Sequence, residues 1–155
     1  MRYIAVMVSR AAELIETLAL VPHPEGGFYR QVYRSPHLVQ PHDDRDVRSA
    51  LTAIYFLLPR GHRSRWHRVR SDEIWTHLEG QPVTLHLFDG VEVSTVLVER
   101  MHVVPANVWQ AAETGGDHSL VACFVAPGFE FDDFSMMSDE ASVAARLPPE
   151  TRYLL

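Results

Sequence analysis

From Phe28 to Ala126 the chain is cut into short runs rich in Val, Ile, Leu and aromatic residues, with turn residues between them. The runs fall at residues 28–34, 50–58, 74–78, 83–88, 91–98, 102–104 and 120–126. Each has the length of a strand, and none has the length of an ordinary helix. Asp89-Gly90 between two runs is a hairpin signal, because both residues tolerate the left-handed backbone of a tight turn. Helical spacing occurs only at the ends. Ala11, Leu14, Ile15 and Leu18 form one apolar stripe behind the cap residue Ser9, which predicts a helix over residues 10–20. Pro22-His23-Pro24-Glu25-Gly26-Gly27 then forces a loop. Residues 138–147 predict a second short helix, stopped by Pro148-Pro149. The polar stretch at residues 36–46 predicts a mobile loop. Many short strands with helices only at the two ends point to an all-β barrel or jelly roll.

Length and charge narrow the function classes. A chain of 155 residues suits a single domain over 1–155 with one core. A net charge of −6 argues against a nucleic-acid partner, since phosphate binding needs clustered cations. The lone Cys123 excludes an internal disulfide and fits a reducing, cytoplasmic compartment. No run approaches the ~18 apolar residues of a membrane span, and the apolar run at residues 1–8 is too short for a secretory signal.

Between Gly61 and Gly80 the residues run Gly-x5-His-x-Val-x3-Glu-x6-Gly, with His67, Val69 and Glu73 at the marked positions. Pro105-Ala106-Asn107-Val108-Trp109-Gln110 follows. These strings resemble the first and second motifs of the cupin barrels. In those motifs a second histidine stands where Val69 does, a glycine where Asn107 does, and a last metal-binding histidine where Gln110 does. The strings His23-Pro24-Glu25-Gly26-Gly27-Phe28-Tyr29-Arg30, residues 52–58, residues 64–75 and residues 126–134 resemble the cupin five group, described as predicted sugar epimerases. The resemblance implies a double-stranded β-helix barrel, usually a homodimer. The group commonly continues after Glu73-x-Trp75 with His and an aromatic, where this chain has Thr76 and His77.

Strand alternation places Glu73, Trp75 and His77 on one face of their strand, and His67 and Val69 on one face of the preceding one. In a cupin these faces line the barrel, and Gln110 would enter from the opposite side. His67, Glu73 and Gln110 are the set a divalent metal would use, and it is thin, because Val69 offers no donor and an amide is a poor ligand. Without a metal or other cofactor, a carboxylate beside an imidazole still makes a general base near neutral pH. That is the arrangement of the metal-free sugar-nucleotide epimerases on this barrel, with a tyrosine as the acid; Tyr29, Tyr33 and Tyr55 are the candidates. Trp75, Trp109, Phe129 and Phe131 are candidate pocket walls, and Ser64 and Thr52 are candidate donors at its edge. Arg30 and Arg34, four apart on an early strand, are expected on one face, suited to a phosphate or carboxylate. Cys123 reads as an inert core thiol, Asp72 as a turn holder, and the remaining histidines, His23 and His86 among them, as surface residues.

The expected function is binding of a small polar metabolite. The first form is an epimerase or isomerase acting on a keto-sugar or sugar nucleotide, with His67 as base, Glu73 as its orienting partner and Gln110 on the substrate carbonyl. A non-catalytic sensing module and a metal-dependent enzyme are the alternatives.

Overall fold

The computed structural model describes residues 8–155, so the amino-terminal apolar run, Val8 excepted, lies outside the described residues. In chain order the elements begin with α1 (Arg10–Thr17), β1 (Val21–Pro22), β2 (Phe28–Arg34), β3 (Leu38–Val39), β4 (Arg48–Ser49) and β5 (Thr52–Pro59). They continue with β6 (Arg63–Val69), β7 (Asp72–Gly80), β8 (Val83–Phe88), β9 (Val93–Val98) and β10 (Met101–Val104). The last are β11 (Trp109–Thr114), β12 (His118–Ala126), β13 (Phe134–Met136) and α2 (Ala141–Ala144). A six-stranded sheet in the order β1-β2-β5-β12-β7-β10 faces a five-stranded sheet in the order β13-β6-β11-β8-β9. All of the pairings are antiparallel, as a jelly roll requires.

The inner faces bury Phe56, Leu58, Trp75, Val83, Leu85 and Val121 between the sheets. Each outer face is capped from one end of the chain. The Ser9 hydroxyl accepts the Ala12 N–H at 3.2 Å and starts α1, whose Ala11 and Leu14 pack on Leu57 and Leu120. On the other sheet, Trp66, Phe88 and Trp109 are covered by Met137, Leu147 and Leu154. The expected second helix is only the four residues of α2, and a 3-10 turn at Pro149–Leu154 continues past the prolines. The Trp66 indole N–H donates to the Thr151 carbonyl at 3.0 Å, which ties this segment down.

Besides the two-residue strands β1, β3 and β4, three longer strands appear where the pattern of apolar runs predicted none. The strand β6, Arg-Ser-Arg-Trp-His-Arg-Val, carries too many charges to read as buried, yet its Ser64, Trp66, His67 and Val69 are. The second, β11, is Ala-rich because it runs between β6 and β8 with both faces covered, and Ala111 and Ala112 are fully buried. β13 is only three residues long. The Asp89-Gly90 signal does join β8 to β9, through a four-residue loop that pairs Phe88 with Val93. There Asp89 Oδ1 accepts the N–H groups of Val91 and Glu92 at 2.8 and 3.0 Å.

Residues 36–46 are anchored, against the expectation of a mobile loop. β3 and β4 pair across it, and the buried Arg45 donates to Ser71 Oγ at 2.8 Å and to Asp133 Oδ2 at 3.3 Å. Asp133, only 2% exposed, also takes a two-armed contact from Arg48 at 2.9 Å on each arm. Removing one partner of a buried ion pair strands the other charge. Asp133→Ala is therefore expected to cost about 3 kcal/mol in urea unfolding. A loss below about 1 kcal/mol would show that solvent already reaches these guanidinium groups.

Candidate active site

A β-bulge in β6 sets the geometry of the cavity floor. Gln110 pairs with His67 and Ala112 with Ser64, so β6 carries one residue more than β11 across the same span. The extra residue breaks the alternation: Ser64 and His67 come to adjoin, while Trp66 turns to the outer cluster. The bulged Arg65 carbonyl lies 2.7 Å from His67 Nδ1. A carbonyl only accepts, so Nδ1 carries the proton and Nε2 is left with its lone pair. Phe134 stacks on the ring at 5.4 Å between centroids.

Glu25 Oε2 faces that Nε2 at 3.3 Å. The loop before β2 brings it there, and Gly26 and Gly27 permit the approach. Both glycines have positive φ, and a Cβ on Gly26 would stand 2.0 Å from the Arg63 carbonyl oxygen. Glu25 Oε1 accepts from the buried Ser64 hydroxyl at 2.8 Å, and Oε2 also lies 3.4 Å from His23 Nδ1. A bare carboxylate facing two imidazole lone pairs would be repelled, so a proton sits among these three groups. Burial pushes the Glu25 carboxyl up and lowers both imidazoles, His67 and His23, which favours the neutral arrangement with the proton on Glu25.

Glu73 stands apart from this pair. Trp75 Nε1–H donates to Gln110 Oε1 at 2.9 Å, and Gln110 Nε2 donates to Glu73 Oε2 at 2.5 Å. The indole has only a donor, so the amide orientation is fixed and one Glu73 oxygen is committed as acceptor. Burial raises the Glu73 carboxyl to about 7, against the opposing pull of nearby His67. Near neutral pH both its acid and its ionised form are within reach.

These groups open into a cavity of about 190 Å³ walled by Phe56, Trp75, Ile54 and Cys123, with Tyr29, Gln31, Arg34, Phe129 and Glu130 toward its mouth. Of the residues expected at the site, His67, Glu73, Trp75 and Thr52 line it. Thr52 Oγ1 accepts the Phe129 N–H at 2.9 Å. Ser64 and Gln110 lie behind Glu25 and Glu73 rather than at the surface of the cavity. Gln110 also sits beside His67 on the neighbouring strand, not across the barrel from it. His77 lies outside the lining, its Nδ1 buried with no hydrogen-bond partner among the described residues. Arg30 points outward, donating to the Leu18 carbonyl at 3.3 Å, and Arg34 lines the cavity instead. Trp109 packs in the outer cluster beneath Arg68, and so is no wall. His23 and His86, expected at the surface, have buried side chains; His86 lies 3.0 Å from both Thr95 Oγ1 and Glu113 Oε1. Cys123, expected as plain core, lines the cavity beside Glu73, its thiol pushed well up by burial.

Residues 12–137 match a family described as Cupin superfamily (DUF985). The chain belongs to the cupin superfamily. Two solved structures resemble this cupin over nearly its whole length. One is a hypothetical protein from Leishmania major, with 30% identity, TM-score 0.83 and coverage of 94% of this chain and 98% of that one. The other, from Shewanella oneidensis, has 34% identity, TM-score 0.78 and 95% coverage of each chain. The uncharacterized yeast protein YML079W is 26% identical, over 92% of this chain and 82% of its own.

The metal expected of an ordinary cupin does not fit this donor set. Val69 lines the cavity without a donor, and the Gln110 oxygen that would face a metal is taken by Trp75. Among the described residues no group of three His, Cys, Asp or Glu side chains is placed to hold an ion. Val69→His with Gln110→His should add two imidazoles beside His67 and Glu73, and calorimetry should then show much tighter zinc binding than in the parent. The apo variant is expected to lose about 1–3 kcal/mol, which metal restores. Unchanged zinc affinity in a folded variant would mean that these positions do not converge.

The raised Glu73 carboxyl also makes a pH prediction. Its folded value of about 7 lies above its unfolded one, so its stabilising contribution is full at low pH and lost as pH rises through 7. Glu73→Gln removes that dependence. Between about pH 5 and pH 8 the variant should gain about 2 kcal/mol relative to the parent in urea unfolding. A constant difference across this range would mean that Glu73 is ionised throughout.

Proposed function

We propose that this cupin is a cytoplasmic epimerase or isomerase of a keto-sugar or sugar nucleotide, working by proton transfer at a carbon beside the carbonyl. The observation that carries the reading is the Glu25–His67 pair, 3.3 Å apart on the floor of the cavity, beside Glu73, a carboxyl that burial raises to about 7. The pair takes the proton from the carbon, the C–H electrons pass to the carbonyl oxygen, and Glu73 in its acid form supplies that oxygen with a proton. Return of a proton to that carbon from the opposite side, with the oxygen's proton going back to Glu73, gives the epimer; return to the neighbouring carbon, with the adjacent hydroxyl's proton going to Glu73, gives the isomer. Tyr29 is the phenol suited to that delivery. It lines the cavity edge-on to His23 at 4.5 Å, whereas Tyr33 is exposed and Tyr55 packs toward α1. Ser64, Arg65 and Gln110 act as positioning residues for Glu25, His67 and Glu73.

Sugars that bind should incorporate solvent deuterium at the carbon beside the carbonyl, read by mass spectrometry. His67→Ala and Glu25→Gln are each expected to slow incorporation about a hundredfold or more while binding persists. Binding with no exchange in the parent would leave a non-catalytic binding protein instead.

A homodimer is part of this proposal. β1 pairs only with Phe28 and Tyr29, so beyond them the outer edge of β2 has no partner among the described residues. Val32 and Tyr33 there are 45% and 48% exposed. Edge pairing of two β2 strands would cover both. Light scattering at micromolar concentration should report a dimer, and Val32→Asp, which sets like charges near the two-fold axis, a monomer. A monomeric parent would remove this part of the proposal.

A further inference from the structure

The cavity is polarised from floor to mouth, and a second bulge is responsible. On β2, Tyr29 pairs with Phe56 and Gln31 with Ile54, but Arg34 pairs with Thr52, so one extra residue lies between Gln31 and Tyr33. Phe56, Ile54 and Thr52 all line the cavity. Without the bulge Arg34 would share the outward face of Arg30; with it, Arg34 turns inward. It is the one arginine among the described lining residues, and lysine is absent from the chain. The floor, in contrast, offers carboxyl groups and imidazoles that burial keeps neutral. An anionic group thus meets no compensating charge at the buried floor and finds a cation at the mouth.

At rest Arg34 is held by groups a ligand can replace. Its Nη1 donates to Glu130 Oε1 at 2.8 Å, and its Nη2 to Gln31 Oε1 and the Phe129 carbonyl, each at 3.1 Å. Both members of the ion pair are about two-fifths exposed, 40% and 44%. Such pairs contribute little, so exchanging the Glu130 carboxylate for a ligand anion costs little. The size of the cavity sets the rest of the ligand. At about 190 Å³ it lies below the roughly 300–1,000 Å³ typical of sites for larger ligands. It admits a single sugar ring or open chain, and one arginine is too few for a diphosphate.

Resting on the proposed function, we infer that the substrate is a small sugar bearing one anionic end group, a carboxylate or a phosphate ester, and not a sugar nucleotide. Its hydroxyls donate to Glu25 and Glu73 at the floor. Its anionic end displaces Glu130 from Arg34 at the mouth, making Arg34 the residue that sets specificity.

The test is a thermal-shift and calorimetric comparison of four matched sets, each covering several stereoisomers: neutral hexoses and ketoses, uronic and aldonic acids, hexose phosphates, and UDP-sugars. One of the two singly anionic sets should bind best, and which one it is identifies the end group. Arg34→Gln should weaken that set about tenfold and leave neutral sugars unchanged, while Arg34→Lys keeps part of the preference. Glu130→Gln, at a side chain 44% exposed, should strengthen the same set about threefold or more by removing the competing carboxylate. If neutral and anionic sugars bind alike, or Arg34→Gln and Glu130→Gln leave their ratio unchanged, the inference fails and the proposed function stands. Preference for UDP-sugars would overturn the inference alone. If no set shifts the melt, the proposed function fails and the inference falls with it.

Discussion

The Arg65 guanidinium donates to the Pro24 and Glu25 carbonyls at 2.6 and 3.3 Å, and its backbone N–H donates to Glu25 as well, at 2.8 Å. This clamp fixes where the loop before β2 runs, and therefore where the Glu25 carboxyl points. The same residue turns its own carbonyl onto His67 Nδ1. One bulged arginine thus determines the tautomer of the imidazole and the position of the carboxyl opposite its other nitrogen. Gly26 and Gly27 allow the loop to lie against β6, and Ser64 holds the second Glu25 oxygen from behind. Shifting β6 by one residue would undo all of these contacts together, because each belongs to the bulged register.

The second polar chain closes the way to a metal. Trp75 to Gln110 to Glu73 is a run of donors and acceptors with one sense throughout, started by an indole that can only donate. An amide in that position orients a carboxyl group. A histidine there would instead present a lone pair to an ion. The substitution at Gln110 and the apolar Val69 therefore act in the same direction, each removing a donor from the metal position.

Much of the architecture is legible in the residues alone. The spacing of the apolar runs conveys the antiparallel sandwich, and the stripe behind Ser9 conveys α1. The cupin motifs locate His67 and Glu73 in one cavity. What fails is strand parity, at the places where the site is built. The register slips between Gln31 and Tyr33, between Gln110 and Ala112, and between Leu120 and Val121. Alternation counted through the first slip puts Arg34 on the wrong face, and counted through the second it separates Ser64 from His67. A bulge has no composition of its own, so parity gives no warning of it. Glu25 escapes for another reason. It belongs to a loop, and a loop carries no periodicity to show which side chains turn inward. The Gly-Gly that follows is the available signal: two adjacent glycines mark a close backbone approach, and the residue before them is carried along.

Two carboxyls, Glu25 and Glu73, and two imidazoles, His23 and His67, share the floor, while Arg34, the one arginine among the described lining residues, stands at the mouth. Burial opposes every charged form among them, so the set is held near neutrality by the number of protons it carries. A ligand that donates hydrogen bonds favours the ionised carboxyls, and a ligand that accepts them favours the protonated ones. Binding is therefore coupled to proton uptake or release. For the proposed proton transfer the coupling has a consequence. A group whose protonation responds to what is bound sits close to the balance point between acid and base, which is where proton transfer to and from a carbon is fastest. The bulges position these groups, and burial keeps them poised.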